Sequence, residues 1–166
     1  GESGGQAGDI GFIKAGKKVH LLTISLGSMV GVEWAEKFPE ELESLTLMNT
    51  SDRGTSYFFE RMRPANYKKI FGILSKGISP PLLESKIMEL VTANPHEYGE
   101  WAEKFAKLPA TTKTNCLRQM MAAARYEFPK HKPKTDILIL SSAMDMLVHP
   151  ACSEKIAQMW HLKTHV

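Results

Sequence analysis

A serine hydroxyl becomes a useful nucleophile only when the fold lifts it clear of the backbone and sets a base and an oxyanion donor around it. Ser25 has the neighbours for this, in Thr23-Ile24-Ser25-Leu26-Gly27. The small-x-Ser-x-Gly spacing has a steric origin. Residues two before and two after the serine lie where a strand and the next helix come closest, so both must be small. Gly27 meets that demand fully. Thr23 stands where the pattern has its first glycine; it suits a strand but crowds the turn. Ser28 and Gly31 are also small and let the helix pack tightly. The N–H of Leu26 would open that helix and point at a developing oxyanion. The chemistry such a turn supports is acyl transfer. The rival reading is a serine in an ordinary strand-to-helix turn, because Ser-x-Gly is common in turns.

The elements that must hold Ser25 are legible around it. Val19 to Ile24 is a short apolar run that predicts a buried strand, and apolar spacing puts Gly27, Val30, Gly31, Trp34 and Phe38 on the inner face of a following helix. Pro39 ends that helix. Leu45 to Asn49 reads as a second strand, so the three elements form a βαβ unit with parallel strands and a right-handed crossover. From Arg53 to Pro129 helical stripes recur: Tyr67, Ile70, Phe71 and Leu74; Leu83, Ile87, Leu90 and Val91; Trp101, Phe105 and Leu108; Leu117, Met120, Met121 and Ala124. Prolines and glycines separate them, which predicts a block of short helices inserted between two strands. Ile137 to Leu140 is a continuous aliphatic run, expected of a parallel strand buried on both faces. A helix with Cys152, Ile156, Met159 and Trp160 inward follows Pro150, and Lys163 to Val166 reads as the start of another strand.

Bulk properties narrow the function classes. The 166 residues suffice for one domain with a sizeable core. A net charge of +3 is too mild to imply nucleic acid, and the Lys130, His131, Lys132, Lys134 cluster reads as a solvated loop. No apolar run approaches the length of a membrane span. Cys116 and Cys152 fit neither metal-ligand spacing nor a disulfide framework; they read as free buried thiols and point to a reducing, cytoplasmic compartment. The first residues, Gly1 to Gln6, carry no signal-peptide pattern.

Over nearly its whole length the chain resembles the α/β-hydrolase fold family. The likeness rests on the elbow at 23 to 27, on Phe38-Pro39-Glu40, on the strand Leu45 to Asn49, and on Ser141-Ser142-Ala143-Met144-Asp145-Met146-Leu147-Val148. That last segment is similar to the Asp-x-Leu/Ile-Val loop that supplies the family's acid. The resemblance implies a parallel sheet with flanking helices: residues 1–52 form the first part of the core, 53–130 a helical cap, and 131–166 the second part. It implies Ser25 as nucleophile, the Leu26 N–H as an oxyanion donor, and Asp145 as the acid that orients a histidine and stabilises its cation. Asp52 is the second choice for the acid, and Asp136 lies at the wrong end of its strand. Asp145 also has a purely structural reading, as a cap for Leu147, Val148 and His149.

The resemblance also sets what to expect beyond the triad. In the family the base follows the strand that here begins near Lys163, normally in a Gly-His pair, so it is expected after Val166. None of the six histidines follows a glycine; His165 is the best remaining candidate. The earlier strands of the pattern would precede Gly1, which makes the chain read as an internal fragment with apolar sheet surface exposed. The expected activity is that of an esterase- or lipase-like serine hydrolase on an ester- or amide-like carbonyl, without metal or organic cofactor. The expected partner is a small substrate with an apolar acyl or alkyl group. Candidate lining residues are Phe58, Phe59, Tyr67, Phe71, Met120, Met121 and Tyr126, most of which also read as cap core. A haloperoxidase or lyase on the same fold is one alternative; Ser25 argues against a dehalogenase, which would want aspartate there. A non-catalytic binding or scaffold protein, or an inactive fragment, is the other.

Overall fold

The computed structural model describes residues 16–75 and 112–166. The stripes at Leu83 to Val91 and Trp101 to Leu108, the glycine-rich start and His96 lie outside these residues. Strand β1 spans Val19–Ile24 and is followed at once by helix α1, Leu26–Lys37. A short 3-10 turn, Pro39–Glu41, leads into β2, Leu42–Met48. Helices α2 (Phe58–Arg61), α3 (Pro64–Ser75) and α4 (Lys113–Arg125) come next. The sheet then resumes with β3, Asp136–Leu140, helix α5, Ala151–Met159, and β4, Thr164–His165.

All four strands are parallel and stand in sequence order, β1-β2-β3-β4. In-order parallel strands joined by crossovers of one hand place the connecting helices on one side of the sheet. Accordingly α1 and α5 contribute to a single core. Met29, Val32 and Ala35 of α1 and Ile156 and Ala157 of α5 pack with Leu45, Leu47 and Ile139 of the sheet, and Phe128 and Trp160 close the cluster. The register sets Leu21, Leu45 and Ile137 in one row of that face and Thr23, Leu47 and Ile139 in the next.

The opposite face is open among the described residues. Leu22, Ile24 and Leu138 lie on it, and Leu22 is 66% exposed. This corrects the reading of Ile137 to Leu140 as buried on both sides: the aliphatic run is real, but only its inward residues meet helices. A second correction concerns α1. Its buried residues are Ser28, Met29, Gly31, Val32 and Ala35, whereas Val30 and Phe38 are exposed. Apolar spacing weights large side chains, but a helix lying this close to a sheet needs small ones at the seam.

Gly31 shows how close the approach is. A Cβ there would stand 2.9 Å from Leu45 Cδ1 and 3.0 Å from Thr23 Cγ2. This also explains how Thr23 is tolerated at the turn: Gly31 vacates the space, and the Thr23 hydroxyl donates to the Thr46 carbonyl at 2.8 Å. Gly31→Val is therefore expected to lower stability by about 3 kcal/mol, the upper end for overpacking. The gain of at most about 1 kcal/mol from removing a helix-interior glycine is smaller. Urea midpoints check this, and Thr23→Ala in the Gly31→Ala background should recover part of that variant's loss.

Candidate active site

Ser25 sits between the carboxyl end of β1 and the first residue of α1, with φ 52° and ψ −118°. A side chain in that region carries strain of about 1–3 kcal/mol, which persists only where neighbours over-determine it. Three hydrogen bonds to its backbone groups do so: the Ser25 N–H donates to the Met48 carbonyl at 2.9 Å, and its own carbonyl accepts from the Ser28 N–H at 3.0 Å and the Thr50 hydroxyl at 3.4 Å. The side chain does not cap the helix. Among the described residues its Oγ is thus left uncommitted, at the N-terminal end of α1.

A cavity of about 230 Å³ opens at this turn, lined by Ser25 and Leu26, by Met29, Ser51, Leu147 and Val148, and by Phe58, Arg61, Met62, Tyr67 and Met120 from α2 to α4. Its surface is largely apolar. Among the expected lining residues, Phe58, Tyr67 and Met120 take part. Phe59, Phe71 and Met121 do not; they are exposed, neither lining nor core. Tyr126 packs edge-on against Phe128 and donates its hydroxyl to Glu33. Burial, with Glu33 beside it, pushes that phenol far up, so it stays protonated.

The segment after β3 reaches the cavity from the other side. Asp145 Oδ1 accepts from the N–H groups of Leu147 (2.8 Å) and Val148 (3.0 Å), and both of those residues line the cavity. One oxygen thus makes the anticipated cap to Leu147 and Val148, whereas the His149 N–H donates to the Glu60 carbonyl at 2.8 Å instead. Asp145 itself is half-buried and is not among the lining residues. Asp52 is turned the other way: only 1% exposed, it accepts from the Phe128 N–H at 2.7 Å and fastens the segment after α4 to the end of β2. Asp136 pairs with Ser44 at the amino end of the sheet, away from Ser25.

None of the described histidines lines the cavity. His20 Nδ1 meets Ser44 Oγ at 2.7 Å, and His131 pairs with Glu36 at 3.0 Å. The His149 ring accepts from the Ala151 N–H, and His161 occupies a left-handed turn after α5. His165 lies in β4 and borders a different cavity with Met48, Asn49, Leu140, Ser141 and Ser142.

Two structural residues escaped the sequence reading. Arg61 donates its guanidinium to the carbonyls of Ala123 and Ala124 at the end of α4, where unpaired carbonyls attract a cation. Lys155 of α5 pairs with Glu60 of α2 at 2.7 Å. Both are long-range pairings, and no local pattern announces them. The Lys155 hydrogen bond, then the Tyr57 N–H, hold the Glu60 carboxyl below its usual range. A lowered carboxyl contributes stability above its unfolded-state pKa of about 4.3, and that contribution disappears as pH falls through the folded-state value. Glu60→Gln should therefore lower Tm at neutral pH, with the difference from the parent vanishing in acid. Melting curves across the pH range check this.

No family model matches the sequence, and no curated protein matches it. Solved structures do. The chain aligns with a hydrolase from Pseudomonas aeruginosa PA01 at 24% identity and TM-score 0.56, covering 93% of this chain and 57% of that one. It aligns with the enol-lactonase from Burkholderia xenovorans LB400 at 16% identity and TM-score 0.62, covering 92% and 58%. It aligns with a meta-cleavage product hydrolase from Pseudomonas fluorescens IP01 at 14% identity and TM-score 0.63, covering 92% and 57%. These are α/β-hydrolase folds, and this chain has part of that fold. It spans little more than half the length of the structures it matches. No helix among the described residues is long and apolar enough to cross a membrane.

Proposed function

We propose that the chain is the nucleophile-bearing part of an α/β-type serine hydrolase acting on an ester- or amide-like carbonyl with an apolar acyl or alkyl group. The observation that carries this reading is Ser25 itself: a non-glycine residue at φ 52° and ψ −118° on the carboxyl end of a parallel strand, its hydroxyl uncommitted, beside a largely apolar cavity. Strain at such a position without function would be removed by glycine.

In this reading Ser25 Oγ attacks the carbonyl carbon while its proton passes to a histidine. By the family resemblance that histidine is expected beyond Val166. The Leu26 N–H stabilises the oxyanion, and Asp145 orients the histidine and stabilises its cation. Collapse expels the alcohol or amine with the proton from the base, and water then releases the acyl group from Ser25. Residues 53–130 act as the cap over a core made of 1–52 and 131–166. Phe58, Tyr67 and Met120 would hold the apolar group; a cavity of about 150 Å³ accommodates benzene, so 230 Å³ suits a somewhat larger one.

Fluorophosphonate labelling with intact-mass readout tests the proposal. Labelling that Ser25→Ala abolishes supports it. In a full-length version that carries the base, a folded protein that does not label contradicts the hydrolase reading and favours the binding or scaffold reading.

A further inference from the structure

The rim of the Ser25 cavity carries an aromatic surface that the proposed chemistry does not use. The Tyr57 and Phe59 rings stack at 5.4 Å, Phe58 meets Phe59 edge-on at 5.5 Å, and Phe58 meets Tyr67 at 6.5 Å. Phe71 stands one turn beyond Tyr67 on α3. These rings are not core: Tyr57 is 69% exposed, Phe58 71% and Phe71 73%. A contiguous exposed apolar patch of this kind marks an interaction surface.

Two further observations identify its occupant. The first is charge. Residues 53–75 hold one acidic side chain, Glu60, which Lys155 neutralises; of the five basic ones Arg53 pairs with Glu127 and Arg61 is held by the Ala123 and Ala124 carbonyls, which leaves Lys68 and Lys69 as the exposed charges of the patch. Lys68 and Lys69 are exposed on α3, and Lys68 shares the Tyr67 and Phe71 side of that helix. The second is continuity. Phe58 and Tyr67 belong both to the surface patch and to the cavity lining. A protein seated there would cover the cavity mouth; a lipid surface would meet the mouth with acyl chains. Tyrosine, phenylalanine and lysine together also suit the boundary between headgroups and acyl chains, where rings bury their bodies and lysines reach anionic headgroups.

We propose that the Tyr57–Phe59 and Tyr67–Phe71 surface docks the protein on an anionic lipid–water interface, with the Ser25 cavity facing the lipid. The docking stands on the patch alone; the delivery of an acyl substrate rests on the hydrolase reading. Vesicle flotation of the Ser25→Ala protein separates the two, because binding is read without turnover. Phosphatidylcholine vesicles with phosphatidylserine should carry the protein, pure phosphatidylcholine much less, and added salt should release it.

Phe59→Ser with Phe71→Ser should abolish flotation; neither residue lines the cavity, and both are exposed, so the fold should survive. Lys68→Glu with Lys69→Glu, at exposed positions, should weaken binding to the anionic vesicles about tenfold or more. Protein that stays in solution with both vesicle types overturns the proposal. So does undiminished flotation of either double variant. A concentration-dependent dimer that the Phe59 and Phe71 changes dissolve, with no vesicle binding, also overturns it and assigns the patch to a second copy of the chain.

Discussion

Ser25→Ala and Ser25→Gly should both eliminate ester turnover, by about 10⁴-fold or more, yet part company in stability. Both variants are compared with the parent in a full-length version that carries the base. The loss follows from removing the attacking oxygen. The stability difference follows from the backbone. Alanine keeps a Cβ at φ 52° and ψ −118° and so keeps the strain, leaving Tm close to that of the parent. Glycine adopts that conformation freely and should recover most of the strain of about 1–3 kcal/mol, less roughly 0.5–1 kcal/mol for its greater chain entropy. A Ser25→Gly variant that is inactive and melts higher would identify a residue kept strained for chemistry. A variant that melts lower would mean that the hydroxyl or Cβ holds the turn together, and would return Ser25 to an ordinary structural role.

Asp145→Asn should cost about 10⁴-fold in kcat while leaving the fold almost untouched. In the proposed mechanism the carboxylate has two separable duties. One oxygen receives the N–H groups of Leu147 and Val148, and an amide oxygen can do the same. The negative charge that orients a histidine and stabilises its cation has no substitute in asparagine. Asp145→Ala loses both duties and should add a stability loss of about 1–2 kcal/mol, typical of a removed cap. Equal activity in Asp145→Asn and the parent would leave only the capping role. Asp52→Asn provides the contrast: its carboxylate is buried against the Phe128 N–H, so the change should act on stability more than on kcat.

The reading of the chain from local pattern succeeded where chemistry is local. The run Val19 to Ile24, the small residues at 27, 28 and 31, and the turn at Ser25 each constrain only their neighbours, and strand, turn and helix appear where expected. The aliphatic run before Ser141 and the helix after Pro150 were equally legible. Asp145 was singled out only through its resemblance to a known loop, since an aspartate before an apolar pair is otherwise an ordinary turn.

Other features depend on distances that sequence spacing does not encode. Which side of β3 is covered follows from both crossover helices lying on one face, so Leu138 is exposed although its neighbours are aliphatic. The inward face of α1 is set by how closely its backbone approaches Leu45 and Thr23, a contact that favours glycine over valine. The same holds for the aromatic residues. Phe58 and Phe59 are adjacent and alike in sequence, but the docking of α2 against α4 through Arg61 and against α5 through Glu60 turns one ring to the cavity and leaves the other outside it. By itself the sequence determined the described strands and the serine turn between β1 and α1, because backbone sterics and period act over a few residues. Only the tertiary structure decided which face is buried, that Asp52 is buried against the Phe128 N–H and which rings meet the cavity, because each depends on packing between segments tens of residues apart.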